Sequence, residues 1–211
     1  MNNWRIWVIS ALTLIAGLFV YFFVLSQGRT QPYEGTELSR EATDFQLTDQ
    51  NGSTISLSDF RGKVVVLTFI DPKCTDTCPI TAVHFREVHR ELNPEEAEQV
   101  VFLGVNVNVE AGAVADMLET TRAWHLDENP SWHLLTGSQD ALAPVWKDYG
   151  VSAVHSHDGN SIMHTPGTFL IDPSGQKRWY ISTLIPGEGT TVLTLSLSDL
   201  LLKHIREILE G

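Results

Sequence analysis

The chain has 211 residues, of which 43% are hydrophobic and 19% charged, and this balance argues against an intrinsically disordered protein. Its net charge of −12 argues against a nucleic-acid-binding role, because such proteins need a basic face to contact phosphates. Two cysteines are too few for a disulfide-built scaffold. The length of the chain predicts one globular domain and an appendage.

The appendage is N-terminal and apolar. The segment from Ile6 to Leu25 carries no charge, and as a helix its twenty residues span about 30 Å, the thickness of a bilayer core. We predict a retained membrane anchor over residues 1–25, with a cleaved signal peptide as the alternative. Arg5 and the free amino terminus favour an inside N terminus, which predicts a single-pass protein of the cell membrane with its soluble domain on the extracytoplasmic side. Residues 26–38 are interpreted as a tether and residues 39–211 as the folded domain.

The soluble part begins with a hairpin signal and then alternates strands with helices. Asn51-Gly52 lies between two alternating runs, which predicts a β-hairpin. The β-branched run from Lys63 to Ile70 predicts a buried strand, and the segment from Pro79 to Leu92 predicts an amphipathic helix. Later elements are expected as strands at 99–107, 131–135, 167–172 and 177–182 and helices at 114–124, 138–149 and 198–210. This order predicts an α/β fold with a thioredoxin-like arrangement, a mixed central sheet and helices on both faces.

The two cysteines stand in a C-x₃-C-P motif between the first buried strand and its helix. We expect Pro79 at the first helical position and Cys78 at or near the N-cap, with Cys74 in the preceding loop. The positive end of the helix dipole and the charge of Lys73 favour thiolate over thiol. At least one of the two thiols should therefore have a pKa well below the usual value of about 8.5.

Three chemistries fit two thiols at this spacing. They can form a disulfide, bind a soft metal, or reduce a substrate disulfide when one thiol attacks and the other resolves. A purely structural disulfide would close a small loop and restrict the unfolded chain little. The residues alone leave all three open.

A third ligand is sought among the histidines. His155, His157 and His164 lie in a polar segment, residues 152–165, which is interpreted as a loop before the strand at 167–172. A thioredoxin-like arrangement brings the end of this segment beside the cysteine loop, and Pro166 is a candidate for a cis-proline there. His164 would then lie within reach of the thiols. The remaining five, His84, His89, His125, His133 and His204, are interpreted as ordinary helix or loop residues.

A Cys₂His ligand set has a clear preference among metals. Thiolates favour Cu(I), which accepts low coordination, and a neutral imidazole completes a trigonal shell and also tolerates Cu(II). Zn²⁺ prefers four ligands and would need one more. Copper is therefore ranked first, and zinc stays open.

The motifs DFQLTDQNG, KVVVLTFI, C-x₃-C-P and a histidine eight residues before the aspartate of LIDPSG resemble those of the Sco/SenC family. Members are thioredoxin-fold copper proteins, commonly held by one membrane helix, that help assemble the binuclear copper centre of cytochrome c oxidase. The resemblance runs from about Thr43 to the C terminus. It implies Cys74, Cys78 and His164 as ligands of Cu(I) or Cu(II), and the copper-bearing oxidase subunit as partner.

Two positions depart from the family's pattern. Met163 replaces the acidic residue that usually precedes the ligand histidine, and we expect Met163 to be a core residue at the start of a strand. The sequence NVNVE, residues 106–110, stands where the family often carries an aspartate after the second strand. Any partner contact made there in the family is therefore not carried over.

The sequence thus predicts a membrane-anchored copper chaperone or thiol–disulfide protein for assembly of the oxidase copper centre, with Cys74 and Cys78 as redox-active thiols. The alternative is a membrane-anchored thiol–disulfide oxidoreductase that holds no stable copper, although such enzymes typically carry C-x-x-C. A peroxiredoxin is less favoured, because its motif has one peroxidatic cysteine in a different setting.

Overall fold

The computed structural model describes residues 3–27, 33–155, 162–182 and 195–211. The helices are α1 (Asn3–Gln27), α2 (Thr77–Glu91), α3 (Pro94–Glu98), α4 (Val114–Ala123), α5 (Gln139–Asp148) and α6 (Leu197–Glu210). The strands are β1 (Thr36–Glu41), β2 (Gln46–Thr48), β3 (Thr54–Ser56), β4 (Val64–Ile70), β5 (Val100–Asn106), β6 (Trp132–Leu135), β7 (Ala153–His155), β8 (Ile162–His164), β9 (Thr168–Ile171) and β10 (Gln176–Ile181). Short 3₁₀ turns occupy Leu57–Phe60, Val109–Ala111 and Leu126–Glu128.

The chain divides into two compact units, and α1 belongs to the first. This helix forms where the apolar N-terminal segment predicts one, with Trp7 and Phe19 among its exposed side chains. Within the described residues, however, no helix has both the length and the apolar character needed to cross a bilayer, which takes about twenty apolar residues. The predicted transmembrane anchor is therefore not supported.

The second unit contains a six-stranded mixed sheet in the order β1-β10-β9-β4-β5-β6. Strands β4, β5 and β6 are parallel, whereas β9, β10 and β1 run antiparallel to their neighbours. Phe102 of β5 contacts Phe85 of α2, while the next residue, Leu103, joins the core cluster that includes Leu142 of α5. Because successive strand residues point to opposite faces, α2 and α5 cover the two faces of the sheet. The predicted thioredoxin-like α/β fold is confirmed.

The N-terminal hairpin of β2 and β3 also forms as predicted. Asp49 closes its turn by accepting hydrogen bonds from the backbone N–H groups of Asn51 and Ser53, at 2.9 and 2.8 Å. Gly52 adopts φ +80°, a conformation that glycine reaches without steric cost. Local turn chemistry therefore accounts for this element.

Three elements differ from the prediction. Strand β1 begins at Thr36, so the last residues of the predicted tether belong to the sheet; the strand is largely exposed and carries no apolar alternation to detect. The segment interpreted as a polar loop contains the antiparallel pair β7 and β8, each only three residues long. Helix α3 was not predicted, although Asn93 caps it and Pro94 opens it.

The prediction of a cis-proline at Pro166 is wrong, because all peptide bonds in the described residues are trans. The turn into β9 is made instead by Gly167, which adopts φ +148°. The carbonyl oxygen of Pro166 accepts a hydrogen bond from the hydroxyl of Tyr180 on β10. The usual trans preference of the X–Pro bond is thus retained here, and glycine supplies the unusual backbone.

Candidate thiol–imidazole site

The cysteine motif connects the carboxyl end of β4 to the amino end of α2. Asp76 is the N-cap of the helix, and its side chain accepts a hydrogen bond from the N–H of Thr77 at 2.6 Å. Cys78 is consequently the second helical residue, near the N-cap as expected, and Pro79 is the third helical residue rather than the first. Aspartate is a favoured cap, and a proline within the first turn removes no intrahelical hydrogen bond.

Asp71 connects the segments that form the site, although no role was predicted for it from the sequence. Its side chain is fully buried. Oδ1 accepts hydrogen bonds from the N–H of Lys73 and from Nδ2 of Asn108, both at 2.9 Å. Oδ2 accepts one from the N–H of Ile162 at 2.7 Å. One carboxylate therefore joins the cysteine loop, the turn after β5 and strand β8.

The turn after β5 is built from buried asparagines. Nδ2 of Asn106 donates to the carbonyl oxygens of Asn108 and Ala111, at 2.9 and 3.1 Å. The N–H of Asn108 donates back to Oδ1 of Asn106 at 2.7 Å. These two side chains lie where the family often has an aspartate, and here they orient the amide that binds Asp71.

Both cysteines are free thiols. Cys74 is half-buried, and its Sγ accepts a hydrogen bond from the N–H of Cys78 at 3.4 Å. The same sulfur lies 3.0 Å from Oδ1 of Asp76. Cys78 is 4% exposed, and its Sγ lies 3.8 Å from Nε2 of His164.

The two thiols differ sharply in acidity. Hydrogen bonding from Cys78 lowers the pKa of Cys74 to about 6, against the opposing effects of burial and of Asp76. The same interaction, together with burial, raises the pKa of Cys78 well above its usual value. This agrees with the prediction of one acidic thiol, although the main cause is the partner cysteine. Lys73 faces Glu110 instead, with its Nζ 3.8 Å from the carboxylate.

His164 lies on β8 with its imidazole half-buried. Its Nδ1 is 3.1 Å from the carbonyl oxygen of Thr165, and because a carbonyl only accepts, Nδ1 is the donor. The neutral ring therefore presents the lone pair of Nε2 to the thiol of Cys78. Burial lowers the pKa of His164, which keeps the ring neutral near pH 7.

The neighbours of His164 do not join it at the sulfurs. Met163 is 59% exposed, and as the residue between Ile162 and His164 its side chain points to the opposite face of β8. The expectation that Met163 is a core residue is wrong. His155 ends β7, and its side chain, like all of His157, lies outside the described residues.

Four of the other histidines have carboxylate partners away from the cysteines. These pairs are His84 with Glu87, His125 with Glu128, His133 with Asp49 and His204 with Glu207. His84 and His204 lie on helices and His125 in the turn after α4, as interpreted, whereas His133 lies on strand β6 rather than in a loop.

The donor set suits a soft metal ion, although it is only partly assembled. In the part of the chain that the structure describes, no three His, Cys, Asp or Glu side chains stand together as a ready metal site. The separation of 3.8 Å between Sγ of Cys78 and Nε2 of His164 is close to the span of about 3.7 Å across a trigonal ion with bonds of about 2.3 and 2.0 Å. The sulfur of Cys74 interacts with the thiol of Cys78 and also lies beside Asp76.

Comparison with known proteins places this geometry in a family. The family model for SCO1/SenC matches residues 34–191, which is more than half of the chain. Among curated proteins, peroxiredoxin Bcp of Bacillus subtilis is 30% identical over 149 residues, covering 68% of this chain and 84% of that protein. The SCO1 protein homolog of the same species is 25% identical over 171 residues, covering 80% and 85%.

Solved structures of Sco proteins share the fold. The copper-bound ScoI of Bradyrhizobium japonicum has a TM-score of 0.62 at 24% identity and covers 81% of this chain and 99% of its own. A SCO1/SenC lipoprotein of Bacillus anthracis gives 0.67 at 19%, covering 85% and 99%. BsSco, described by its disulfide switch and as a member of the Sco family of cytochrome c oxidase assembly proteins, gives 0.61 at 20%, covering 82% and 96%. With the family model matched over residues 34–191, the chain belongs to the SCO1/SenC family.

Proposed function

We propose that the chain binds copper through Cys74, Cys78 and His164 and supplies it to the copper-bearing subunit of cytochrome c oxidase during assembly. The contact between Sγ of Cys78 and Nε2 of His164 carries this proposal, because it joins a sulfur and a nitrogen donor 86 residues apart in sequence. Family membership supports it, as do the copper in the ScoI structure and the assembly role that BsSco's description gives to its family.

The three donors have distinct parts in capturing the ion. Cys74 is the more accessible sulfur and, with a pKa of about 6, is largely thiolate at pH 7, so it is the first ligand to meet incoming copper. Cys78 holds its proton until binding and releases it then, which makes affinity fall at low pH. Neutral His164 offers Nε2, with its ring fixed by the hydrogen bond to Thr165. Copper, the cargo, is the soft cation that this set prefers.

The proposal includes a location at the cell membrane on the extracytoplasmic side. It is supported by the lipoprotein of Bacillus anthracis in the same family. We expect to find the protein in the membrane fraction of lysed cells. We also expect protease added to spheroplasts to digest its folded domain. Resistance to protease until the cells are lysed would contradict this location.

Copper binding is tested with the reduced full-length chain and one equivalent of Cu(I) or Cu(II). We expect near-ultraviolet or visible thiolate-to-copper bands and one retained copper per chain. Both should be lost in Cys74→Ser and Cys78→Ser and strongly reduced in His164→Ala. His125→Asn is the matched control, because His125 is exposed and has a positive φ that asparagine tolerates. Unchanged bands in His164→Ala would remove the histidine from the site.

The delivery step is tested in cells that lack the protein. We expect low cytochrome c oxidase activity that is restored by added copper or by the wild-type chain, and not by His164→Ala. Normal oxidase activity in cells that lack the protein would contradict the assembly role. It would not contradict the proposal that the chain binds copper.

A second candidate is thiol–disulfide exchange without stable copper, and the acidity of Cys74 favours it. The thiolate of Cys74 would attack one sulfur of a partner disulfide, forming a mixed disulfide and releasing the partner's other sulfur as a thiolate. Cys78 would pass its proton to Nε2 of His164 and attack Sγ of Cys74, releasing the second partner thiolate. The partner disulfide gains two electrons, and the Cys74–Cys78 pair is oxidised to a disulfide.

Alkylation and reduction assays separate the two candidates. In the copper-free reduced chain, the rate of Cys74 alkylation should reach half its maximum near pH 6, and Cys78→Ala should move this midpoint upward. A rate that rises steadily to pH 9 would contradict the acidic thiol. Rapid reduction of insulin by a chain that retains no copper would favour the oxidoreductase, and rapid consumption of hydrogen peroxide would favour a peroxiredoxin-like activity.

A further inference from the structure

A second cavity lies away from the sulfurs, over the edge of the sheet formed by β1, β10 and β9. Its volume is about 460 Å³, within the range of about 300–1,000 Å³ typical of small-molecule sites. The residues at and just after the C-terminal end of helix α5 form the opposite wall of the cavity. Its basic and aromatic lining residues include Arg40, Lys147, Tyr149, Phe169, Lys177 and Tyr180. We call it the Lys177 cavity.

Lys177 is the most unusual of these residues, because it is 4% exposed. Its Nζ lies 4.6 Å from the ring centre of Tyr149 and 6.0 Å from that of Phe169. Over the described ranges, this ammonium forms no ion pair and no side-chain hydrogen bond, and it is not among the buried atoms closed off from solvent, so it reaches the cavity. A lysine with a buried stem usually keeps its ammonium accessible, and here the cavity is the space that this ammonium faces.

The neighbouring charges make this arrangement less favourable still. Arg40 of β1 is paired directly opposite Lys177 of β10, and like charges at opposing positions of an antiparallel pair repel. Lys147 is a third cation on the cavity wall, against one acidic lining residue, Asp148. Burial and Arg40 both lower the pKa of Lys177, and Asp148 opposes them. In a chain with a net charge of −12, this is a local excess of positive charge, with three cations against one carboxylate.

The remaining wall is aromatic. The ring of Phe169 lies between those of Tyr149 and Tyr180, with centroid distances of 5.4 and 4.9 Å. Such a surface accepts a flat apolar group, while the cations above it accept a negative charge. The combination matches the general form of ligand sites, which are largely apolar with a few polar groups that fix orientation.

We propose that the Lys177 cavity binds a small organic anion with a flat apolar body, such as an aromatic carboxylate. The anionic group would lie between Lys177 and Arg40, and the ring would pack on Tyr180, which is the least buried of the three aromatic residues. The lining residues do not include Cys74, Cys78 or His164, although Thr165, which follows His164, forms part of the wall. The proposal is independent of copper binding and of the oxidase role.

The test uses the full-length chain and 2-naphthoate as the probe, with saturation-transfer NMR and calorimetry. We expect 2-naphthoate to bind and its neutral analogue 2-naphthamide to bind at least about tenfold more weakly, because a charge-assisted contact is lost. Lys177→Met, which keeps a long unbranched side chain and removes its charge, should weaken the binding of 2-naphthoate by a similar factor. Lys63→Met, at an exposed lysine outside the cavity, should leave binding unchanged.

Thermal melting of each variant shows whether it is folded. If Lys177→Met does not fold, Arg40→Gln replaces it in the test, because Arg40 is exposed and its replacement should not affect folding. This variant should bind 2-naphthoate severalfold more weakly than wild type. Equal binding of acid and amide, or unchanged binding in folded Lys177→Met, would overturn the proposal. Absence of 2-naphthoate binding at millimolar concentration by the folded wild-type chain would overturn it as well.

Discussion

Two buried charged side chains, Asp71 and Lys177, show opposite solutions to the same physical problem. Asp71 accepts three hydrogen bonds from three different segments of the chain. The Lys177 side chain is almost as deeply buried, yet its ammonium lies over aromatic rings, stands opposite another cation and reaches a cavity. A buried charge with protein partners holds a structure together, whereas a charge that faces a cavity without a protein partner is available to a ligand.

The largest effect is expected from Asp71→Ala. It leaves the N–H groups of Lys73 and Ile162 and the amide of Asn108 without their acceptor, so we expect the free energy of unfolding to fall by about 3 kcal/mol or more. Urea denaturation of the reduced chain measures this. Asp127→Ala, at an exposed site, is the control and should change stability by less than about 0.5 kcal/mol. A similarly small change for Asp71→Ala would erase the contrast with Lys177.

The next effect concerns Gly167, which lines the Lys177 cavity and follows His164 by three residues. It has φ +148°, and a Cβ there would lie 2.4 Å from the ring of Tyr180. We expect Gly167→Ala to lower the free energy of unfolding by about 2 kcal/mol through backbone strain and overpacking. Gly52→Ala is the matched control, since Gly52 also has a positive φ but no atom within 4 Å of the added carbon. Equal losses in the two variants would show that the Tyr180 contact yields easily.

A smaller, pH-dependent effect is expected from His164. Because burial lowers its pKa, the folded chain binds the proton more weakly than the unfolded chain does. Its contribution to stability is therefore present above about pH 6.5 and is lost as the pH falls, by at most about 1.4 kcal/mol per pH unit. Denaturation of the metal-free reduced chain between pH 7.5 and 5 should show a steeper decline for wild type than for His164→Gln. Parallel curves would contradict the burial of the imidazole.

The smallest effect on stability is expected from Lys177→Met. The change removes two cation–π contacts, worth about 0.5–1 kcal/mol each, but also removes the cost of a buried ammonium. The free energy of unfolding should therefore change by less than about 1 kcal/mol, in either direction. A loss as large as that of Asp71→Ala would make Lys177 a structural residue and remove the reason to seek its ligand.

The elements predicted correctly are those whose signals are local. The Asn51-Gly52 turn, the apolar run that forms β4 and the serine cap of α5 at Ser138 each act within a few residues. Strand β1 gave no such signal, because its side chains are mostly exposed and its place is fixed by backbone pairing with β10. The same reason explains why β7 and β8 were interpreted as a loop.

The site divides in the same way. The C-x₃-C-P motif indicates two thiols at a strand–helix junction, and an acidic thiol follows from that setting. Asp71 was missed, although a carboxylate directly after a buried strand is a signal that could have been used. Lys177 was missed because nothing in its local sequence distinguishes a buried lysine from an exposed one.

The sequence by itself determined the α/β alternation, the thiol pair and the histidine candidate, because periodicity, turn chemistry and motif spacing depend on residues close together in the chain. The tertiary structure decided which histidine nitrogen faces Cys78, which thiol is acidic and which buried charge has no partner. These properties depend on burial and on contacts between segments far apart in the chain, such as Arg40 and Lys177, for which the sequence carries no local record.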